Sequence, residues 1–315
     1  MNKYNYWIAL SEAPGIGIAS MKEIYKSLLS TGLSIQDIME LNESEIEDEF
    51  SFSKRTVQGI LKGQQLLEKT EDVYQQILTA GIEPVLFFEE NYPEQLKNSN
   101  SINTPPLLYC FGNKRNLQLP LITVMSGAEI SSTADTIAYH TGKILAEHCI
   151  CAGTGLNRGA GTLFASGTLE NRGELLAIIP CGLLTFNMSD NLKEIFDPDT
   201  CTIVSPFFPK EEISKHNAIY RNELLSELSD AIYIIEMKKD DPVITPTVKH
   251  ISKISTPLYA THYSEYPEEA SGNQNLFENY GALPIRGKKV GNIIQPNLDA
   301  IMAHAKFSKK TKEAN

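Results

Sequence analysis

Cys149-Ile150-Cys151-Ala152-Gly153-Thr154-Gly155-Leu156-Asn157-Arg158-Gly159-Ala160-Gly161 is the stretch on which the reading of this chain turns. An apolar, strand-like run arrives over 146–152, and four glycines follow within nine positions. A small-residue helix is expected next, through Thr162, Leu163, Phe164, Ala165 and Ser166. A strand, a glycine-rich turn and a helix start aim backbone N–H groups at one point, which favours a phosphate or another anion. Glycine suits such a turn because a Cβ blocks both positive φ and close ligand approach. Gly153, Thr154, Gly155, Asn157, Arg158 and Gly159 are therefore candidate phosphate contacts. The plain alternative is a tight strand-to-helix turn that binds nothing.

Outward from this turn, short apolar runs alternate with helical patterns from Gly81 onward. Strands are expected at Pro84–Phe88, Leu107–Phe111, Leu121–Met125, Cys149–Ala152, Leu175–Ile179, Thr202–Ser205, Ala231–Glu236 and Pro257–Thr261. Helices are expected between many of them, notably Thr133–Glu147, Glu211–Leu228 and Gln274–Tyr280. This rhythm argues for an α/β fold with a mostly parallel, doubly wound sheet covered on both faces. Ligands of such sheets sit beyond the carboxyl ends of the strands, where the strand order switches. The glycine turn occupies that kind of place.

Residues 1–80 read instead as a small helical domain, with Met21, Ile24, Tyr25 and Leu28 at helical spacing. Pro14-Gly15-Ile16-Gly17 is a turn of the helix-hairpin-helix type. In this acidic segment it reads as a packing element in preference to a phosphate holder. Beyond Gly287 the pattern fades into a short amphipathic segment and a basic tail over 288–315, ending in the Lys306–Lys312 run.

The 315 residues carry a net charge of −11. Residues 1–80 contribute −5 (7 Lys/Arg, 12 Asp/Glu), 81–285 contribute −11 (14 and 25), and 286–315 contribute +5 (7 and 2). Bulk charge thus gives no argument for nucleic acid, although a local basic groove suffices for binding. No apolar run approaches the ~20 residues of a membrane span, and no signal pattern opens the chain. Five cysteines form no CxxC pair and lie mostly in apolar runs, as expected of buried thiols in the cytoplasm.

A second informative stretch, His216 to Asp230, precedes the strand expected at Ala231. Arg221 and Asn222 can reach phosphate and base or sugar edges there, with Lys215 beside them. The alternative is an exposed helix start with surface polar residues. Histidines show no metal spacing, and neither a GxSxG elbow nor a P-loop is present. No catalytic constellation, metal site or cofactor is expected. Glu236, ending an apolar strand, is either a pocket base or a cap on a neighbouring loop.

Taken in order, several segments resemble the DNA-processing protein A family (DprA, also called Smf). Asn91-Tyr92-Pro93-Glu94-Gln95-Leu96 and Pro105-Pro106-Leu107-Leu108-Tyr109-Cys110-Phe111-Gly112 are similar to its "YP..L" and "PP.LY..G". The glycine turn holds the place of its S-G-x-A-x-G-I-D, and Ser205-Pro206 that of S-E-x-P. Arg221-Asn222 with Leu228-Ser229-Asp230 is similar to R-N-R-I-I-x-x-L-S-D. Ile244-Thr245 resembles the family's L-I-T, and Gly272–Ala282 its G-x-N-x-L-I-x-x-G-A. The resemblance covers about 81–285 and implies an extended Rossmann-like domain, taken as 81–287. It also implies single-stranded DNA binding, a homodimer, and loading of a RecA-type recombinase in natural transformation, without enzymatic activity. The tail is too short for the winged-helix domain that some members carry.

The chain departs from the family pattern at its cations. Ser126-Gly127-Ala128 replaces G-S-R, Asn157-Arg158-Gly159 replaces the turn's G-I-D, and Glu223 replaces the second arginine of R-N-R. Asp241-Pro242-Val243 replaces the residues opening G-S-L-I-T. Each lost cation removes a phosphate contact. Two further readings therefore stand beside the first. One is a nucleotide sensor or a nucleoside-phosphate-cleaving enzyme of the same superfamily. The glutamate of that enzyme's P-G-G-x-G-T-x-x-E is, however, Ala165 here. The other is a degenerate scaffold.

Overall fold

The computed structural model describes residues 2–98, 104–291 and 293–305. It begins with helices α1 (Lys3–Glu12), α2 (Ile18–Thr31), α3 (Ile35–Ile38), α4 (Glu43–Glu49) and α5 (Lys54–Thr79). The side chains of Asn2, Ser34, Asn42 and Ser53 each accept a first-turn N–H, satisfying donors that a helix start leaves unpaired. The Pro14–Gly17 turn packs against α5: a Cβ on Gly59 would lie 2.5 Å from the Ile16 side chain.

The sheet region opens with β1 (Ile82–Leu86), α6 (Glu94–Lys97) and β2 (Leu107–Gly112). It continues with β3 (Leu121–Met125), α7 (Ser132–Glu147), β4 (Cys151–Thr154), α8 (Ala160–Leu169), β5 (Leu175–Ile178), α9 (Asp190–Ile195) and β6 (Cys201–Ser205). Then come α10 (Lys215–Leu228), β7 (Ala231–Ile234), α11 (Ile244–Ile251), β8 (Leu258–Thr261), α12 (Asn273–Asn279) and β9 (Leu283–Ile285). The nine strands form one sheet in the order β1-β2-β6-β5-β4-β3-β7-β8-β9. Neighbours from β6 across to β9 are parallel. Within this sheet the β1–β2 and β2–β6 pairs are antiparallel. From β3 the chain steps outward through β4, β5 and β6, then returns to lay β7 on the other side of β3. That reversal is the switch point at which such sheets leave a crevice.

Both faces of the sheet are covered. Along β3, Leu121 and Met125 join one apolar cluster while Ile122 and Val124 join the other, as strand alternation requires. The first cluster runs unbroken from Trp7 and Ile24 in the N-terminal helices, through Leu107 and Val204, to Leu258 and Leu276. At this junction the Trp7 ring lies 5.3 Å from Phe88 and 6.3 Å from Phe87, and Tyr25 stacks on Phe88 at 4.1 Å. Among the described residues no helix is long and apolar enough to cross a membrane.

One strand expectation is corrected here. The strand expected at Cys149 begins at Cys151, because α7 runs to Glu147 and the backbone then turns through Cys149 at φ 54°. Cys149 is consequently exposed, whereas Cys110, Cys151, Cys181 and Cys201 are buried. Beyond Gly287, β10 (Gly287–Val290) and β11 (Ile293–Pro296) pair as a separate antiparallel hairpin, and residues 299–305 are helical. Leu298, Ile301, Met302 and Ala305 are buried in one cluster with Leu145, Tyr259 and Ile285, which is the apolar face of the amphipathic segment expected after Gly287. The Lys306–Lys312 run lies outside the described residues.

Candidate functional site

At the switch point, a cleft of about 880 Å³ opens over the carboxyl ends of β3, β4, β5 and β7. Its walls come from Met125 to Glu129 after β3, Gly155 to Arg158 after β4, and Pro180 and Cys181 after β5. Arg221 and Asn222 of α10 and the Lys238–Ile244 segment after β7 complete it. Four cations line it (Arg158, Arg221, Lys238 and Lys239), and so do four carboxylates (Glu129, Glu212, Asp240 and Asp241).

The cations differ sharply in availability. Lys238 is held by Glu129 at 2.6 Å and by Glu268 at 3.4 Å. Arg158 and Lys239 are exposed. Arg221 is only 4% exposed. Its Nη1 donates to the carbonyl of Gly155 and, at 3.2 Å, to that of Ile178, so one guanidinium ties together the ends of β4 and β5. Its Nε is buried without a hydrogen-bond partner. Burial lowers its pKa to about 10, partly countered by the nearby Cys181, which leaves it charged at neutral pH.

Arg221 also explains the glycine turn. A Cβ on Gly155 would lie 1.5 Å from Arg221 Nη1, so this glycine makes room for a guanidinium. Gly153 has a similar role inside the sheet, where a Cβ would lie 2.2 Å from Thr123 Oγ1. Gly153 and Thr154 are buried strand residues, with Thr154 Oγ1 accepting from Leu156 N at 3.2 Å. Leu156 itself sits at φ 49°, a conformation that a leucine holds only when its surroundings over-determine it. Gly159, at φ 75°, opens α8 without a side-chain cap.

Of the sequence candidates, the cleft brings together Gly155, Asn157, Arg158, Arg221 and Asn222. Gly153, Thr154, Gly159 and Lys215 do not line it. Asn222 spends its Nδ2 on Thr247 Oγ1 at 3.3 Å, binding α10 to α11. Glu236 is fully buried and accepts from Ser131 N, Ser131 Oγ and Tyr263 Oη at 2.6–2.7 Å. It is thus a cap on the entry to α7. The loop residues Cys181, Thr185 and Phe186 and the pair Lys238-Lys239 were not anticipated. Their positions just past β5 and β7 are the only sequence signal that marks them. Among the described residues no His/Cys/Asp/Glu group is arranged to hold a metal ion.

The profile of a family described as DNA recombination-mediator protein A matches residues 83–295. The structure is similar to DNA processing protein A (DprA) of Streptococcus pneumoniae, with a TM-score of 0.69 and 18% identity over 89% of this chain and 94% of that one. It is also similar to DNA processing protein A of Helicobacter pylori, whose mode of binding single-stranded DNA is described, with a TM-score of 0.57 and 18% identity over 73% and 96%. At this identity the two likenesses show a shared fold. No curated protein matches the chain.

Proposed function

We propose that this chain, which belongs to the DNA recombination-mediator protein A family, binds single-stranded DNA, shields it and loads a RecA-type recombinase onto it, acting as a cytoplasmic homodimer without catalysis. The observation that carries the reading is the cleft at the switch point, with the charged, buried Arg221 in its wall and the exposed Arg158 and Lys239 facing a strand. Phosphate contacts supply most of the affinity for a single strand, and Arg158 and Lys239 are the exposed cations of the cleft that can make them. The absence of a chemical step fits the use of Glu236, whose carboxylate is already taken by three donors. The place that carries the glutamate of the cleaving enzymes is the apolar Ala165, buried in α8.

The test is fluorescence anisotropy of a labelled single-stranded oligonucleotide over a salt series. Salt-sensitive binding is expected, and Arg158→Ala and Lys239→Ala should each flatten the slope of log K against log salt by about 0.7. Folded protein that fails to bind at low salt would overturn the reading.

A further inference from the structure

Arg221 is a buried cation that the protein itself does not neutralise. Both of its hydrogen bonds go to carbonyls, and it belongs to none of the ion pairs among the described residues. Buried charges are costly unless a counter-charge accompanies them. This one sits at the wall of an open cleft, so the missing counter-ion can come from a ligand.

We infer that the cleft takes one terminal nucleotide, with its phosphomonoester turned inward to Arg221 and its sugar and base toward the mouth beside Arg158. The inference rests on the single-strand reading and specifies which part of the strand enters. Three observations select an end over an internal segment. Arg221 is 4% exposed, so a phosphate must come deep to meet it. Glu129, Glu212, Asp240 and Asp241 line the same cleft and oppose a polyanion laid across it. The cleft, at about 880 Å³, is in the size range of small-molecule sites. Charge points the same way: a phosphomonoester carries about −1.5 to −2 near neutral pH, whereas an internal diester carries a single charge. The same chemistry is offered by a strand end and by a free nucleoside monophosphate.

The experiment is competition against a labelled oligonucleotide by unlabelled strands bearing a 5′-phosphate, a 3′-phosphate or hydroxyls at both ends, and by a nucleoside monophosphate. Calorimetry of the monophosphate alone runs beside it. One phosphorylated end should compete about tenfold better than the hydroxyl-ended strand, and the monophosphate should displace the label. Arg221→Lys, which keeps the charge but loses the fork, should shrink that preference. Arg158→Ala, at an exposed position, serves if Arg221→Lys melts early. Equal competition by all three strands with no displacement by the monophosphate overturns the inference and leaves the single-strand reading standing. Binding of the monophosphate without any strand keeps the phosphomonoester site and overturns the single-strand reading. No binding of either overturns both.

Discussion

Gly155→Ala tests the central structural claim, that Arg221 occupies the space a side chain at 155 would need. Gly155 is not among the positive-φ residues, so alanine meets no backbone penalty and the perturbation is one methyl group. That methyl would lie 1.5 Å from Nη1 and 2.2 Å from Cζ of Arg221. The guanidinium must therefore leave, giving up its bonds to the carbonyls of Gly155 and Ile178. Two hydrogen bonds from a charged donor are together worth roughly 3–6 kcal/mol, offset in part by rehydration of a cation that burial disfavours. The net loss should be about 2–4 kcal/mol. Urea denaturation of four proteins, wild type, Gly155→Ala, Arg221→Ala and the double variant, forms a double-mutant cycle. In the Arg221→Ala background the methyl has no guanidinium to displace, and its cost should fall below about 0.5 kcal/mol, the usual scatter of additive sites. An equal cost in both backgrounds, or a loss under about 0.5 kcal/mol in the wild type, would refute the reasoning.

Glu236→Gln should destabilise the protein by about 1–3 kcal/mol, because an amide offers one acceptor oxygen where three donors converge; the denaturation midpoint checks it, and oligonucleotide affinity should change little. Ile301→Ala, at a fully buried position, should cost about 2–5 kcal/mol, read by thermal unfolding; a surface-like loss would mean that residues 293–305 do not pack as described. In native protein an aromatic disulfide reagent near pH 8 should titrate Cys149 rapidly and leave the other four thiols until denaturant is added. Burial pushes Cys110 up to about 12 and Cys151 well above the ordinary thiol range, so neither offers thiolate at that pH.

The sheet was legible where strands are buried on both faces. Leu121–Met125 is a continuous apolar run and was placed to the residue. The start of β4 was not, because the apolar residues Ala146 and Ile150 suit the end of a buried helix as well as a strand. That error carried Gly153 and Thr154 into the binding turn, although both are strand residues. The burial of Arg221 was invisible for another reason. An arginine in a polar helix reads as a solvent-facing clamp unless a notch receives it, and the notch is Gly155, 66 positions earlier. Likewise nothing local in Leu298, Ile301 and Met302 says that they cover the face under α7. Pairings of this kind depend on contacts between distant segments, which periodicity does not report.

The aromatic cluster where the N-terminal helices meet the sheet gives the protein a built-in optical reporter. Trp7 is the only tryptophan in the chain, and its ring is 3% exposed against Phe87 and Phe88, which follow β1. All indole emission therefore originates at that contact. A blue-shifted spectrum that reddens as the helices separate from the sheet would follow their attachment without any label. Because Trp7 is not among the residues lining the cleft, the same signal should stay silent when a ligand fills the cleft and nothing else moves.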